Sequence, residues 1–219
     1  MQLTARGMTD SPVERRVVVR ADVQSCCLPV EAGLRRPVGR CSCQLFLRRC
    51  YTSCVPTLET DRLLIRPFEG RDLDELAAIV ADPEVRRFLG APQDRAEAWG
   101  VIAHLLGHEA LRGWSQNAVI ERSTGRLVGR CGLYQPEGWP GVEVGWIFAR
   151  GAWGRGFATE AAVVWRDWAF DVLMLDELIS IIHPDNVASI RVAERIGHRY
   201  LRDEMVLGES RVIYGQRRR

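Results

Sequence analysis

A glycine-rich turn between a short apolar stretch and an amphipathic segment constrains the fold of this chain more than any other feature. The sequence VEVGWIF at 142–148 predicts a strand, and FATEAAVVWRDWAF at 157–170 places apolar residues at helical spacing. Between them stand Gly151, Gly154 and Gly156. Glycine allows positive φ and close approach of the backbone to a ligand, and amides at a helix N-terminus converge on an anion. The strand, turn and helix therefore predict an anion site built from backbone.

Two phosphate-binding motifs fit this turn poorly. A P-loop requires the lysine of G-x-x-x-x-G-K-[ST], and the sequence contains no lysine. A dinucleotide-binding turn requires G-x-G-x-x-G, whereas this turn has the reverse spacing and follows strands that read as antiparallel. A purely structural turn between strand and helix stays open at this point, because glycine motifs by themselves are weak signals.

From residue 57 the chain alternates between strand and helix patterns. Apolar spacing and turn residues predict the order β-α-α-β-β-β-α-β-α-β-β. The predicted strands are 62–68, 117–121, 127–134, 142–149, 178–183, 200–207 and 211–215, and the predicted helices begin near 72, 95, 157 and 186. Short connections favour antiparallel neighbours. We therefore predict an α+β fold in which about four helices flank a central, mostly antiparallel sheet of six to seven strands.

Local motifs make specific predictions for the first two helices. The sequence DLDE at 72–75 matches a capping box, with Asp72 as the N-cap and Glu75 as its partner. The segment 82–90 that follows is expected to be turn-like. The second helix, expected over 95–111, is predicted to bury one stripe of apolar side chains, formed by Trp99, Ile102, Leu105 and Leu106.

The first fifty-five residues differ in composition from the rest of the chain. Six of the seven cysteines lie between residues 26 and 54, together with many arginines. We expect residues 1–55 to be a poorly ordered extension and residues 56–219 to form the folded domain. A translation start assigned too far upstream, with Met8 or Val55 as the true start, is a second interpretation. A thiolate zinc site is a third, although the cysteine spacing is loose for one.

Charge and hydropathy exclude several functional classes. The formal net charge is +2, and the folded domain carries no dense basic stripe of the kind that nucleic-acid backbones require. No run of apolar residues is long enough to cross a membrane, and the N-terminus lacks the apolar core of a signal peptide. We therefore expect a cytoplasmic protein, a monomer or homodimer, with no nucleic-acid or membrane partner.

Four stretches together resemble the GNAT (GCN5-related) N-acetyltransferases. ARGAWGRGFATEA at 149–161 resembles the acetyl-CoA signature of this superfamily, Q/R-x-x-G-x-G/A. LETDRLLIRPF at 58–68, VEVGWIF at 142–148 and NVASIRVAERIGH at 186–198 resemble the first strand, the fourth strand and a late helix of the branch that includes ribosomal-protein N-terminal acetyltransferases. The resemblance covers about residues 56–215. Three positions depart from the family pattern, with Gly151 in place of glutamine or arginine, Arg195 in place of lysine and His198 in place of phenylalanine.

The resemblance implies transfer of an acetyl group from acetyl-CoA to a primary amine, either a protein N-terminus or a small molecule, without a metal. Pantetheine is expected along the backbone of Ile147, Phe148 and Ala149. The pyrophosphate is expected on the amides from Gly154 to Thr159. The full set of residues expected to bind acetyl-CoA is Ile147, Phe148, Ala149, Gly154, Arg155, Gly156, Phe157, Ala158, Thr159, Asn186 and Ser189. A non-catalytic acyl-CoA sensor with the same fold is the alternative.

The chemistry requires a base for the amine and an acid for the departing thiolate. Glu143 is the predicted base, because the even positions of VEVGWIF form an apolar face and Glu143 lies on the other one. Ser189 is the first choice for the acid, with Tyr134 and Tyr200 as weaker choices. Asn186 is predicted to cap the last helix as well, and Cys131 is predicted to be a buried small hydrophobe. The sequence leaves the identity of the amine open.

Overall fold

The computed structural model describes residues 18–20 and 57–218. The predictions for the extension 1–55, including its disorder, the alternative starts and the cysteine-rich segment, lie outside the described residues except at 18–20.

The described chain consists of nine strands and five helices, and the predicted α+β fold is confirmed. The strands are β1 (Val18–Arg20), β2 (Thr57–Glu59), β3 (Leu63–Arg66), β4 (Gln116–Glu121), β5 (Arg126–Tyr134), β6 (Glu143–Phe148), β7 (Glu177–Ile182), β8 (Arg199–Val206) and β9 (Glu209–Arg217). The helices are α1 (Leu73–Val80), α2 (Pro83–Arg86), α3 (Arg95–Arg112), α4 (Phe157–Asp171) and α5 (Val187–Arg195). The short pieces β1, β2 and α2 account for the difference from the predicted counts, because such segments carry little periodicity.

The strands form one sheet in the order β1-β2-β3-β4-β5-β6-β7-β9-β8. All neighbours in it are antiparallel except β6 and β7, which are parallel. These two strands pair only at Glu143 and Ile179, where the Ile179 N–H donates to the Val142 carbonyl at 2.9 Å. Beyond this point they separate. The sheet therefore opens in its middle, next to the segment that leads into the glycine turn.

Apolar side chains cover both faces of the sheet, because successive residues of a strand point to opposite sides. One core cluster contains α4 with Phe157 and Trp165, which pack on Val144 and Phe148 of β6. The other contains α1 and α3, which pack on the side of the sheet that carries Ile147. Helices on both faces leave the opening between β6 and β7 as the route into the middle of the fold. None of the described helices is both long and apolar enough to span a membrane.

Asp72 is the N-cap residue of α1, as predicted, but its side chain forms no capping hydrogen bond with the helix. Its carboxylate accepts hydrogen bonds from Arg66 Nη1 at 2.7 Å and Nη2 at 2.8 Å, and from the Glu69 N–H at 2.8 Å. Glu75 accepts from the Leu127 N–H at 2.9 Å instead of closing a capping box. The predicted capping box is wrong because a buried guanidinium competes for the carboxylate of Asp72. The resulting ion pair joins β3 to the start of α1.

The buried stripe of α3 is offset from the prediction. Ile102 and Leu105 are buried as expected, but Trp99 is 62% exposed and Leu106 is 39% exposed. Ala98 and His108 are buried in their place. Helical spacing alone is compatible with either stripe. The packing of α3 against α1 buries the small side chain of Ala98 and leaves the larger Trp99 exposed.

Candidate active site

A cleft of about 1860 Å³ passes through the opening of the sheet. It extends from the glycine turn and the N-terminus of α4, across β6 and β7, to α3 and the ends of β4 and β5. Nearly all predicted site residues line it: Glu143, Ile147, Phe148, Gly154, Arg155, Gly156, Phe157, Ala158, Thr159, Asn186 and Ser189. Two candidates lie elsewhere. Ala149 is outside the lining, and Tyr200 is 53% exposed with its hydroxyl on Asp203.

The backbone of β6 faces β5 and the opening alternately. The Ala149 N–H donates to the Val128 carbonyl of the neighbouring strand at 2.9 Å, and in an antiparallel ladder Ile147 then faces β5 as well. The Val144 carbonyl instead accepts from the Ser180 hydroxyl at 2.9 Å, and the Phe148 carbonyl accepts from Trp153 Nε1 at 2.9 Å. The backbone groups directed to the opening therefore belong to even-numbered residues. This moves the expected contacts from Ile147 and Ala149 to Trp146 and Phe148.

The glycine turn has the conformation that its sequence predicts. Gly154 and Gly156 adopt φ of 73° and 81°, in the left-handed region that side chains disfavour. Gly156 is the N-cap of α4 and has no side chain to bond the first amides of the helix. The Arg155 carbonyl accepts from Arg62 Nη1 at 2.9 Å, which fixes the turn against the start of β3. The geometry suits an anion held by backbone N–H groups and the helix dipole.

Arg155 forms an ion pair that sequence reasoning missed. Its guanidinium pairs with Glu121 at the end of β4 and lies over the Phe157 ring, 4.4 Å from the centroid. This pairing lowers the pKa of Glu121. The two residues are 34 positions apart, and no local pattern joins them. An anion on the turn would have to compete with Glu121 for this guanidinium.

Glu143 is the first residue of β6 and the position at which β6 pairs with β7, and the opening begins just beyond it. Its Oε2 accepts from Trp139 Nε1 at 2.9 Å, and the backbone of Ile181 lies near enough to favour the ionised carboxylate. Burial raises the pKa of Glu143 to about 7, although Trp139, Ile181 and Arg130 oppose the shift. A carboxylate with this pKa is substantially ionised at neutral pH and can still take a proton readily.

Polar residues from the two neighbouring strands share the face of the sheet that carries Glu143. Tyr134 lies directly opposite Glu143 in β5, and Gly132 lies opposite Gly145. Gln116 in β4 reaches over these glycines, because a Cβ at Gly145 would lie 2.5 Å from Gln116 Nε2. Arg130 Nη1 donates to Gln116 Oε1. Sequence reasoning missed Gln116 and Arg130, and the only available signal was the alternation of the predicted strands.

With Glu143 as the base that the sequence predicts, substitution of Gly145 by alanine is expected to lower kcat by about 10–100-fold, because small displacements of a proton-accepting group are costly. The new Cβ would lie 2.5 Å from Gln116 Nε2 and 3.2 Å from Glu143 Oε1. Both atoms end flexible side chains, so the fold can adapt, and the expected loss of stability is below about 1 kcal/mol. Gly107→Ala is the control, because a Cβ there meets nothing within 4 Å. Steady-state kinetics and thermal unfolding distinguish the two effects. Unchanged kcat in Gly145→Ala would contradict this account.

Aromatic side chains enclose the cleft beside Glu143. Tyr134 O–H lies 2.8 Å from His104 Nε2 and stacks on His108 with centroids 5.1 Å apart. His108 Nε2 accepts from the Gln135 N–H, so its Nδ1 carries the proton donated to the Trp114 carbonyl. Burial lowers the pKa of His108 and raises that of Tyr134. His108 is therefore a neutral structural group, and Tyr134 keeps its proton at neutral pH.

The remaining candidates have clear structural positions. Asn186 caps α5, because its Oδ1 accepts from the Ser189 N–H at 3.1 Å, and both side chains line the cleft. Cys131 is fully buried and burial raises its pKa, which rules out a thiolate nucleophile. Among residues 57–218, no cluster of three or more His, Cys, Asp or Glu side chains is arranged to hold a metal ion.

Comparison with known proteins agrees with this architecture. Residues 62–199 match the family model for the acetyltransferase (GNAT) domain. The chain therefore belongs to the GNAT acetyltransferase family, and the family predicted from the four sequence stretches is confirmed.

Relatives and a solved structure each cover more than half of the chain. The uncharacterized protein YkkB of Bacillus subtilis is 34% identical over 146 residues, which are 65% of this chain and 85% of YkkB. The uncharacterized N-acetyltransferase p20 of Bacillus licheniformis is 31% identical over 142 residues, which are 63% of this chain and 79% of p20. An acetyltransferase from Agrobacterium tumefaciens, known from a crystal structure, is 34% identical in sequence and superposes with a TM-score of 0.66. The match covers 75% of this chain and 95% of the Agrobacterium chain.

Proposed function

We propose that residues 56–219 form an N-acetyltransferase domain that transfers the acetyl group of acetyl-CoA to a primary amine. The observation that carries the proposal is the position of Glu143. A carboxylate with a pKa of about 7 lies where β6 and β7 separate, in the cleft that also contains the anion-binding turn. A base next to a site for an activated acyl group is the arrangement that amine acylation requires.

The cleft suits acetyl-CoA along its whole length. The pyrophosphate would bind the amides from Gly154 to Thr159, where positive φ and the N-terminus of α4 favour an anion. The pantetheine arm would bind the backbone of Trp146 and Phe148, with Asn186 and Ser189 on the opposite wall. Arg155 would exchange Glu121 for a phosphate oxygen. The thioester would then lie at the opening, next to Glu143.

The reaction follows from these positions. Glu143 accepts a proton from the ammonium group, and the free amine attacks the thioester carbonyl. The oxyanion is stabilised by the N–H of Trp146 or Phe148 that faces the opening. Attack forms the C–N bond, and collapse of the tetrahedral intermediate restores the carbonyl and breaks the C–S bond. The nitrogen releases its surplus proton to the hydroxyl oxygen that protonates the thiolate. The departing thiolate takes a proton from Ser189, or from Tyr134, whose raised pKa keeps it protonated.

A thiol-release assay tests the proposal. The full chain is incubated with acetyl-CoA and a panel of primary amines, and coenzyme A binding is measured separately by calorimetry. Release of coenzyme A together with mass-detected acetylation of at least one amine supports the enzyme. Binding of coenzyme A without turnover of any amine would overturn it and indicate an acyl-CoA sensor.

The raised pKa of Glu143 predicts a pH dependence of turnover. Protonated Glu143 cannot accept the amine proton, so kcat is expected to fall about tenfold per pH unit below about pH 7 and to level off above it. The measurement is kcat at saturating acetyl-CoA and amine across this range. Glu143→Gln is the control, because its residual turnover should lack this inflection. An identical inflection in that variant would assign the titration to another group.

A further inference from the structure

The face of the cleft that carries Glu143 contains an arginine that forms no ion pair among the described residues. Arg130 Nη1 donates to Gln116 Oε1, whereas the buried Nε has no hydrogen-bond acceptor. Among the described residues no carboxylate lies within ion-pair distance of this guanidinium, and none accepts from Nη2. Burial lowers the pKa of Arg130 to about 10, so it stays a cation at neutral pH. A desolvated charge with one neutral partner is costly unless an anion joins it.

A second guanidinium lies near enough to affect Arg130. Arg86 donates from Nε to the Ala91 carbonyl at 3.0 Å and from Nη2 to the Leu89 carbonyl at 2.6 Å. These carbonyls hold Arg86 at the wall of the cleft without neutralising its positive charge. The like charge of Arg86 lowers the pKa of Arg130. Glu143 is the acid that interacts with Arg130, and its own pKa is about 7. Glu97 acts on Arg86 but not on Arg130. Arg130 itself therefore has no nearby negative charge whenever Glu143 is protonated.

We propose that Arg130 binds a carboxylate of the acceptor, so that the substrate is an amine of the amino-acid class that also carries a carboxylate. This inference rests on the proposed function and names the substrate class of the same site. The acceptor amine would face Glu143 while its carboxylate pairs with Arg130, because both side chains lie on one face of the sheet. A charge-assisted hydrogen bond to a guanidinium is a strong and directional contact for a carboxylate.

The same charges disfavour other acceptors. A polyamine or an aminoglycoside would bring several positive charges to a wall that already contains Arg130 and Arg86. Like charges placed together in a desolvated site repel each other strongly. A neutral peptide N-terminus would leave Arg130 unpaired. An amino acid carries both an amine, which can give a proton to Glu143, and a carboxylate, which can pair with Arg130.

Matched substrates test the inference on the unmodified protein. We expect the full chain to acetylate amino acids with a kcat/KM at least about 10-fold higher than that of the corresponding amino-acid amides, which lack the carboxylate. Spermidine and kanamycin serve as polycationic probes and are expected to be poorer still. Equal or faster turnover of the amides, of a neutral peptide or of the polycations would overturn the inference.

Variants locate the effect at Arg130. Arg130→Gln is expected to lower the ratio of kcat/KM for acid over amide to near one, mainly through KM for the acid, and Arg130→Lys is expected to recover part of it. Arg199→Gln is the matched control, because Arg199 is an exposed arginine of β8 outside the cleft. A ratio that persists in Arg130→Gln would overturn the assignment. If Arg130→Gln does not fold, the lysine variant and the comparison of substrates on the unmodified protein decide the outcome.

The two proposals fail in different ways. If coenzyme A binds but no amine of any charge is acetylated, the proposed function fails and this inference fails with it. If amines are acetylated without preference for a carboxylate, the proposed function stands and the inference about Arg130 is wrong.

Discussion

Replacement of Glu143 by glutamine is expected to lower kcat by about 10²–10⁴-fold, the range that a general base contributes, while the affinity for coenzyme A changes little. Glutamine keeps the volume of the side chain and an oxygen that can accept from Trp139 Nε1, which lies 2.9 Å from Oε2. It cannot take up the proton of the amine. The variant therefore separates proton transfer from binding, and steady-state kinetics with calorimetry of coenzyme A binding measures both.

A second glutamate provides a matched control for this experiment. Burial also raises the pKa of Glu109 to about 7, but Glu109 lies on α3 outside the lining of the cleft. Glu109→Gln is expected to leave kcat unchanged within about twofold, because surface and wall substitutions away from the chemistry change little. If Glu143→Gln kept full turnover, Glu143 would not be the base, and the proposed mechanism would be wrong.

Replacement of Asp72 by alanine is expected to lower the free energy of unfolding by about 3–5 kcal/mol, the loss found when one partner of a buried ion pair is removed. The side chain of Asp72 is 4% exposed and that of Arg66 is 13% exposed, so the guanidinium would stay buried without its main partner. Chemical denaturation of both proteins at neutral pH measures the difference. Asp74→Ala is the control, because its ion pair with Arg95 is exposed and is worth less than about 1 kcal/mol.

The Asp72 contribution has a defined pH dependence. Hydrogen bonds from Arg66 and Glu69 hold the pKa of Asp72 below its usual value despite burial. A carboxyl whose folded pKa is lowered stabilises the fold above its unfolded pKa, which is about 4 for aspartate. The difference between the unmodified protein and Asp72→Ala should therefore be constant at neutral pH and shrink as the pH falls below about 4. A difference that grew in acid would contradict this assignment.

Local sequence predicted much of the fold and part of the site. The glycine turn, the helix after it and the position of Glu143 opposite the apolar face of β6 each follow from a pattern within one segment, and the structure contains all three. The boundaries of the long elements agree within about two residues for the same reason, because periodicity is a local property. The DLDE capping box failed even at short range, since Arg66 from the preceding strand binds Asp72.

The features that sequence reasoning missed join separate segments. The partners Gln116 and Arg130 reach the site through the pairing of β4, β5 and β6. The direction of the β6 backbone depends on the same register, which places Trp146 and Phe148 toward the opening. The Glu121–Arg155 pair likewise joins the end of β4 to the turn. A register cannot be deduced from one strand, because a shift by one residue reverses every side chain and every backbone group.

The sequence by itself determined the turn at Gly154 and Gly156, the amphipathic α4 and the presence of a carboxylate opposite the apolar face of β6. Backbone sterics and side-chain alternation act within a few residues, so these features could be deduced from the printed letters. The tertiary structure alone decided where β6 and β7 separate, how deeply Glu143 is buried, and which arginine lies on the same face without an ion pair. The burial of Glu143 raises its pKa. Desolvation and charge pairing depend on groups that are distant in the chain and adjacent in the fold.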